Sequence, residues 1–150
     1  MRGNEEQSAR LDAVLAPLKR TFEGIVAVLQ IVAGWVLDVA EGFEAGGHNG
    51  REETTTLTLI PNVVESCSLP VIAAGGISSG KSVVAAMTLG AEGVQIGTRF
   101  AVATESSAHP TFKQRVFDTE EGGTMLALKK LAPTRLIKNE FFNQVTVSYT

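Results

Sequence analysis

The chain has 150 residues, of which 44% are hydrophobic and 19% charged, close to one domain by the ~150-residue prior and too apolar for a disordered coil. A net charge of −3 argues against nucleic acid or an anionic membrane surface as the main partner. A single cysteine, Cys67, excludes an intramolecular disulfide and any multi-cysteine metal site.

The first ten residues are polar and mixed in charge, without the basic-then-apolar order of a targeting segment. Leu11, Val14, Leu15, Leu18 and Phe22 fall on one helical face, so Glu5 to Phe22 is predicted as a helix, kinked at Pro17. The longest charge-free apolar stretch, Gly24 to Leu37, is shorter than the ~20 residues of a membrane span, and a cytoplasmic location is expected. Ile25 to Ala40 is rich in Val, Ile and Leu and broken at Gly34; its second part, Trp35 to Ala40, reads as a buried strand. Glu41 to Thr56 is a polar, glycine-rich loop, and Leu57 to Ser66 a short helical pattern.

From there the punctuation is regular. Leu69 to Ala74 is a continuous apolar run, which suggests a strand of a parallel sheet buried on both faces. Ser78 and Ser79 offer caps for a helix over Lys81 to Leu89 that stops at Gly90. Gly93 to Gly97 is a second short strand, and His109 to Asp118 another helix in which His109 is a helix-start residue. Thr124 to Leu131 and Arg135 to Val145 are further helical candidates around Pro133. Strand, loop and helix alternate, so the fold class is α/β, built of βα units with a parallel sheet.

Ligands of such folds bind at the carboxyl ends of the strands. Glycine falls at these ends: Gly46-Gly47, Gly75-Gly76 and Gly97. Backbone N–H groups at glycine can approach an anion closely. One pair alone reads as a tight turn; Gly75-Gly76 with Gly97-Thr98, one βα unit apart, point to a phosphate cup. The segment Gly75 to Ser82 also satisfies G-x-x-x-x-G-K-S, the P-loop pattern, in which Lys81 reaches phosphates and Ser82 holds magnesium. No apolar strand ending in a metal-binding Asp follows it; Trp35 to Asp38 precedes it.

His48, flanked by glycines in the polar loop, is either an exposed loop histidine or a general base, since its ordinary pKa lies near neutrality. Glu41 and Glu44 flank the same loop as a hydrogen-bonding pair or as solvated charges. Cys67 is expected to be a small buried filler rather than a nucleophile. No residues have metal-ligand spacing.

Val39 to Gly50, Leu69 to Ile77 and Leu89 to Phe100 together resemble the nitronate monooxygenase family, formerly called 2-nitropropane dioxygenase, with its similar flavin-dependent enoyl-ACP and NADH:quinone reductases. Glu105 to Pro110 and Arg135 to Phe142 look like the same family, so the resemblance runs from about Val39 to Val145. It implies a TIM barrel holding FMN. Gly75 and Gly76 would contact the FMN phosphate, and Gln95, Ile96, Gly97 and Thr98 would complete the cup. Gly46 would lie near the flavin, and His48 would remove the α-proton of a nitroalkane. The loop would bind FMN phosphate without magnesium, in place of the P-loop reading, and many members carry Arg where Lys81 stands. Glu41 stands where many members carry a Gln that touches flavin.

A TIM barrel needs about 250 residues, at least ~200. The expectation is therefore a partial (β/α)8 barrel: an N-terminal helical segment, Met1 to Gly34, unmatched to the family, then the C-terminal βα units of the FMN-binding barrel from residue 35 to 150. The implied activity is oxidation of alkyl nitronates with oxygen to a carbonyl compound and nitrite. The alternatives are a catalytically inactive barrel fragment and an enoyl-ACP or quinone reductase. The expected partner is a small-molecule nitronate or nitroalkane, with no nucleic acid and no membrane. Exposed half-barrel strand edges favour a homo-oligomer.

Overall fold

The computed structural model describes residues 27–32 and 35–148, with side chains from residue 37 to residue 144. The helix expected over Glu5 to Phe22 and the break at Gly34 lie outside the described residues.

Three parallel strands form the centre: β2 (Trp35–Glu41), β4 (Val71–Ala74) and β5 (Gly93–Gln95). Each neighbours the next in chain order, with α1 (Thr56–Ser66) and α2 (Gly80–Thr88) as the crossovers. Neighbouring strands in sequence order are the arrangement of a barrel, whereas a doubly wound sheet reverses direction at a switch point. These are βα units of a TIM barrel, and the chain carries part of that fold.

The parallel run is not uniform. β1 (Ala27–Val32) lies on the outer edge of β2 and pairs with it antiparallel, from Ala27 opposite Ala40 to Val32 opposite Trp35. Two residues join the strands, and a connection that short forces a hairpin, because a parallel neighbour needs a crossover of a dozen residues or more.

The core sits between the sheet and its helices. Leu59, Ile60 and Val63 of α1 and Ala86 of α2 pack on Ala40, Val71 and Ala73, all buried. Period-2 alternation places Ala40, Val71 and Ala73 on this helix-facing side. Asp38 shares it and is 1% exposed, with neither carboxylate oxygen hydrogen-bonded. Burial raises its pKa.

α2 starts as its sequence predicts. Ser79 is the N-cap and forms a reciprocal box with Ser82: the Ser79 hydroxyl accepts from Ser82 N–H, and Ser82 Oγ accepts from Ser79 N–H. After β5 come a single turn, α3 (Thr98–Ala101), and α4 (Pro110–Phe117). His109 caps α4, its Nδ1 accepting from Thr111 N–H at 3.2 Å, which is the structural role expected of it. Cys67 is half-buried against the core, not fully buried, and its Sγ accepts from Leu69 N–H.

The helices expected over Thr124 to Leu131 and from Arg135 are corrected. These residues form a β-hairpin, β6 (Thr124–Ala127) against β7 (Thr134–Ile137), and helix resumes only at α5 (Glu140–Ser148). Met, Leu and Ala favour helix intrinsically, but pairing across the hairpin decides the outcome, and Leu128 takes the left-handed backbone (φ +55°) where β6 ends. β7 also pairs with a two-residue strand, β3 (Gly47–His48), inside the glycine-rich loop. No described helix is long and apolar enough to cross a membrane.

Candidate functional site

A cleft of about 1020 Å³ opens at the carboxyl ends of the parallel strands, where Glu41, Ala74 and Gln95 end β2, β4 and β5. This is the end at which TIM barrels do their chemistry. Gly46, Gly75, Gly76, Gln95, Gly97 and Thr98 all line it, so most of the residues predicted to hold a phosphorylated cofactor are brought together.

Ile96 is not in this cleft. It is half-buried against the hydrophobic core and lines a separate cavity of about 470 Å³ with Ser79, Val83 and Arg99. Successive residues of an extended chain point to opposite faces, so Gln95 and Ile96 serve different sides. His48 is exposed and is not among the cleft residues, although its neighbours Gly46 and Gly47 are. It is carried on β3, opposite Thr134 of β7.

The glycines are in place for two different reasons. Gly75 and Gly76 have φ of +96° and +68°, the left-handed region that side chains avoid. Gly75 is also packed tight: a Cβ there would stand 2.6 Å from the Gly42 carbonyl oxygen. At Gly46 and Gly97 a Cβ would meet nothing within 4 Å. There the missing side chains leave open space facing the cleft.

The loop between β2 and α1 is strapped on both sides. On the inner side the Glu44 carboxylate accepts from the Thr56 N–H (2.9 Å) and lies 3.0 Å from the Thr56 hydroxyl. That hydroxyl also reaches the Gly75 carbonyl at 2.8 Å. Thr56 thus ties the first strand-end loop to the second. From β7, Arg135 donates from Nε and Nη2 to the Phe43 carbonyl, both at 3.1 Å, and lies over the Phe43 ring. The sequence expectation for Glu44 resolves as a hydrogen bond, with Thr56 rather than Glu41 as partner.

Glu41 lines the cleft, half-buried, and no described group bonds its carboxyl. Burial raises its pKa, because the charged form loses hydration that nothing replaces. Arg99, Arg115 and Arg135 line the same cleft, and their guanidinium groups bond to uncharged oxygens of Ser78, Lys138, Phe43 and Thr124.

The P-loop pattern does not make a magnesium site. Ser82 Oγ accepts from Ser78 and Ser79 N–H and donates to the Ser79 carbonyl, so its hydroxyl is spent on the cap. Lys81 is exposed and does not line the cleft. Asp38, the only Asp on a described strand, is sealed on the helix-facing side. Among the described residues no three His, Cys, Asp or Glu side chains gather as a metal set.

Thr56 and Arg135 are site residues that the sequence reading did not single out. Thr56 had a signal, a threonine run just ahead of an apolar helical pattern. Arg135 had none locally, since its partner Phe43 lies 92 positions away.

The family model for nitronate monooxygenase matches residues 3–149. A probable nitronate monooxygenase of Staphylococcus saprophyticus is 38% identical over 129 residues, covering 79% of this chain and 36% of that protein. One from Bacillus subtilis is 42% identical over 107 residues, covering 67% and 31%. Among solved structures, FabK from Thermotoga maritima is 42% identical with a TM-score of 0.69, over 73% of this chain and 35% of that one. A nitroalkane oxidase from Streptomyces ansochromogenes is 31% identical with a TM-score of 0.63, over 73% and 34%. The chain therefore spans about a third of the length of the relatives it matches. With a family model covering nearly every residue and the cleft at the expected strand ends, the chain belongs to the nitronate monooxygenase family.

Proposed function

We propose that this chain supplies the phosphate-binding side of an FMN-dependent oxidoreductase that oxidises alkyl nitronates with oxygen to a carbonyl compound and nitrite. The observation that carries this reading is the convergence of Gly46, Gly75, Gly76, Gly97 and Thr98 around one cleft at the ends of parallel strands. Family membership supports the same reading.

The residues present fit FMN. A volume of about 1020 Å³ lies at the upper end of the ~300–1000 Å³ typical of ligand sites. The open space at Gly46 and Gly97 and the left-handed turn at Gly75-Gly76 suit close approach of a large anionic ligand to the backbone. Gly75, Gly76, Gly97 and Thr98 would hold the phosphate through backbone N–H groups, with Gln95 beside them and Gly46 nearer the ring. FMN, when bound, supplies the two-electron redox chemistry.

The chain's own residues do the rest. His48, exposed on β3 next to Gly46 and Gly47 of the cleft wall, would accept the α-proton at an imidazole nitrogen when the substrate arrives as a neutral nitroalkane. Glu41, half-buried in the cleft wall, has its pKa raised by burial, so it takes up its negative charge at higher pH than an ordinary glutamate. The remaining wall of the barrel would come from βα units beyond those described.

The test is a visible spectrum and oxygen electrode. The purified protein is expected to take up FMN and to consume oxygen and release nitrite with a nitronate. A protein that takes up no FMN, or consumes NADH with a quinone but no oxygen with a nitronate, would overturn the reading.

A further inference from the structure

The β6–β7 hairpin does not belong to the parallel sheet, yet it holds the loop that carries His48. β3 is only Gly47 and His48, and its pairing partners are Arg135 and Thr134. The next residue, Asn49, is 7% exposed and donates its backbone N–H to the Pro133 carbonyl at 2.7 Å. Its side-chain amide donates to the Ala45 and Gly47 carbonyls, each at 3.0 Å. Arg135 holds the Phe43 carbonyl twice. The carbonyls of residues 43, 45 and 47 are therefore all fixed by two side chains. Between them lie Gly46 and Gly47, the latter at φ +88°, a stretch that on its own samples many conformations.

We propose that Arg135 and Asn49 are positioning residues for His48, and that the hairpin is the platform on which the base is mounted. This rests on the reading of His48 as the base. Asn49 fixes the Gly47 carbonyl and hence the peptide plane that leads into His48. Arg135 fixes the distance between Phe43 and β7, and with it the pairing of Gly47 and His48. A proton transfer tolerates little misplacement of its base, since an error of about 1 Å costs on the order of 100-fold.

The test separates positioning from support of the fold by offering two substrates. A neutral nitroalkane needs the base; a preformed nitronate has already lost the proton. In Asn49→Ala, kcat with the nitroalkane is expected to fall roughly 10–100-fold while kcat with the nitronate and FMN affinity change less than about twofold; in Arg135→Ala, which also removes a cation from the cleft wall, kcat with the nitroalkane is expected to fall roughly 10-fold more than kcat with the nitronate. Added guanidinium ion is expected to restore part of the loss in Arg135→Ala. Equal losses with both substrates, or none with either, overturn the proposal. A ligand-free measurement runs beside it. The chain has only two histidines, so His109→Asn leaves one imidazole to follow by nitrogen-15 NMR. Its signal is expected to sharpen as the His48 backbone is released in both variants, and in Arg135→Lys should the alanine variant fail to fold. If the parent turns over neither substrate, the functional reading falls; an imidazole signal of unchanged width overturns the positioning role independently.

Discussion

The Glu44 carboxylate and the Thr56 hydroxyl stand 3.0 Å apart, and the same hydroxyl lies 2.8 Å from the Gly75 carbonyl. One side chain thus binds the loops after β2 and β4, which form neighbouring walls of the cleft. Thr56→Val keeps the shape and removes the hydroxyl. It is expected to cost about 1–3 kcal/mol, because partners in a half-buried site are left unpaired. Thr56→Ser should cost much less. Urea denaturation of the three proteins measures this.

Gly75→Ala and Gly97→Ala should fail differently. At Gly75 a Cβ meets the Gly42 carbonyl oxygen at 2.6 Å on a left-handed backbone, so a loss of about 1–3 kcal/mol or more is expected, with loss of FMN uptake. At Gly97 a Cβ meets nothing within 4 Å, so the melting temperature should stay within a degree or two of the parent's while FMN affinity falls. Thermal melts with fluorescence titration of FMN resolve the pair.

Glu41 makes anion binding depend on pH. Its folded pKa is raised by burial, so rising pH adds a negative charge to the cleft wall later than for an ordinary glutamate. Affinity for FMN should fall as pH rises through that titration, and Glu41→Gln should flatten the profile and bind more tightly at its upper end. Glu44, Arg99, Arg115 and Arg135 share the cleft and are unchanged by the substitution. Riboflavin, which lacks the phosphate, should show a weaker dependence in both proteins.

Asp38 is a destabilising residue at neutral pH. Its folded pKa is raised above the ordinary value of 3.8, so the folded state binds a proton more readily than the unfolded chain. Stability should therefore rise as pH falls from above the folded pKa toward that ordinary value. Asp38→Val is expected to stabilise the protein by about 1–3 kcal/mol at pH 7 and to remove that slope. Denaturant midpoints followed from about pH 4 to pH 8 check this.

The Ser79–Ser82 cap predicts that Ser82→Ala costs about 1 kcal/mol of stability. Lys81→Ala, at an exposed position, should leave both stability and FMN affinity unchanged. Magnesium-dependent ATP binding lost in Lys81→Ala would contradict the capping account.

The elements that were legible in the sequence are those set by local signals. Trp35–Glu41 and Val71–Ala74 announce themselves as apolar runs, α2 by its serine cap and its glycine stop, and α4 by His109 before Pro110. The glycines of the cleft were legible because strand ends and glycine coincide in this fold. The hairpin was not. Four-residue strands such as Thr124–Ala127 are too short to display alternation, and what makes them strands is their pairing with each other and the pairing of β7 with the distant β3. Non-locality also hid the role of Arg135, whose partner Phe43 lies 92 positions away, while the antiparallel course of β1 follows from its short connection to β2 and not from its composition.

The seat taken by β1 bears on assembly. It occupies the side of β2 where a closed barrel would seat a parallel strand, through six residue pairs from Ala27 with Ala40 to Val32 with Trp35. Any further strand arriving on that side must first displace this ladder. Strand addition on that side is therefore an exchange, in which the pairing of β1 with β2 is lost as that of the incoming strand is gained.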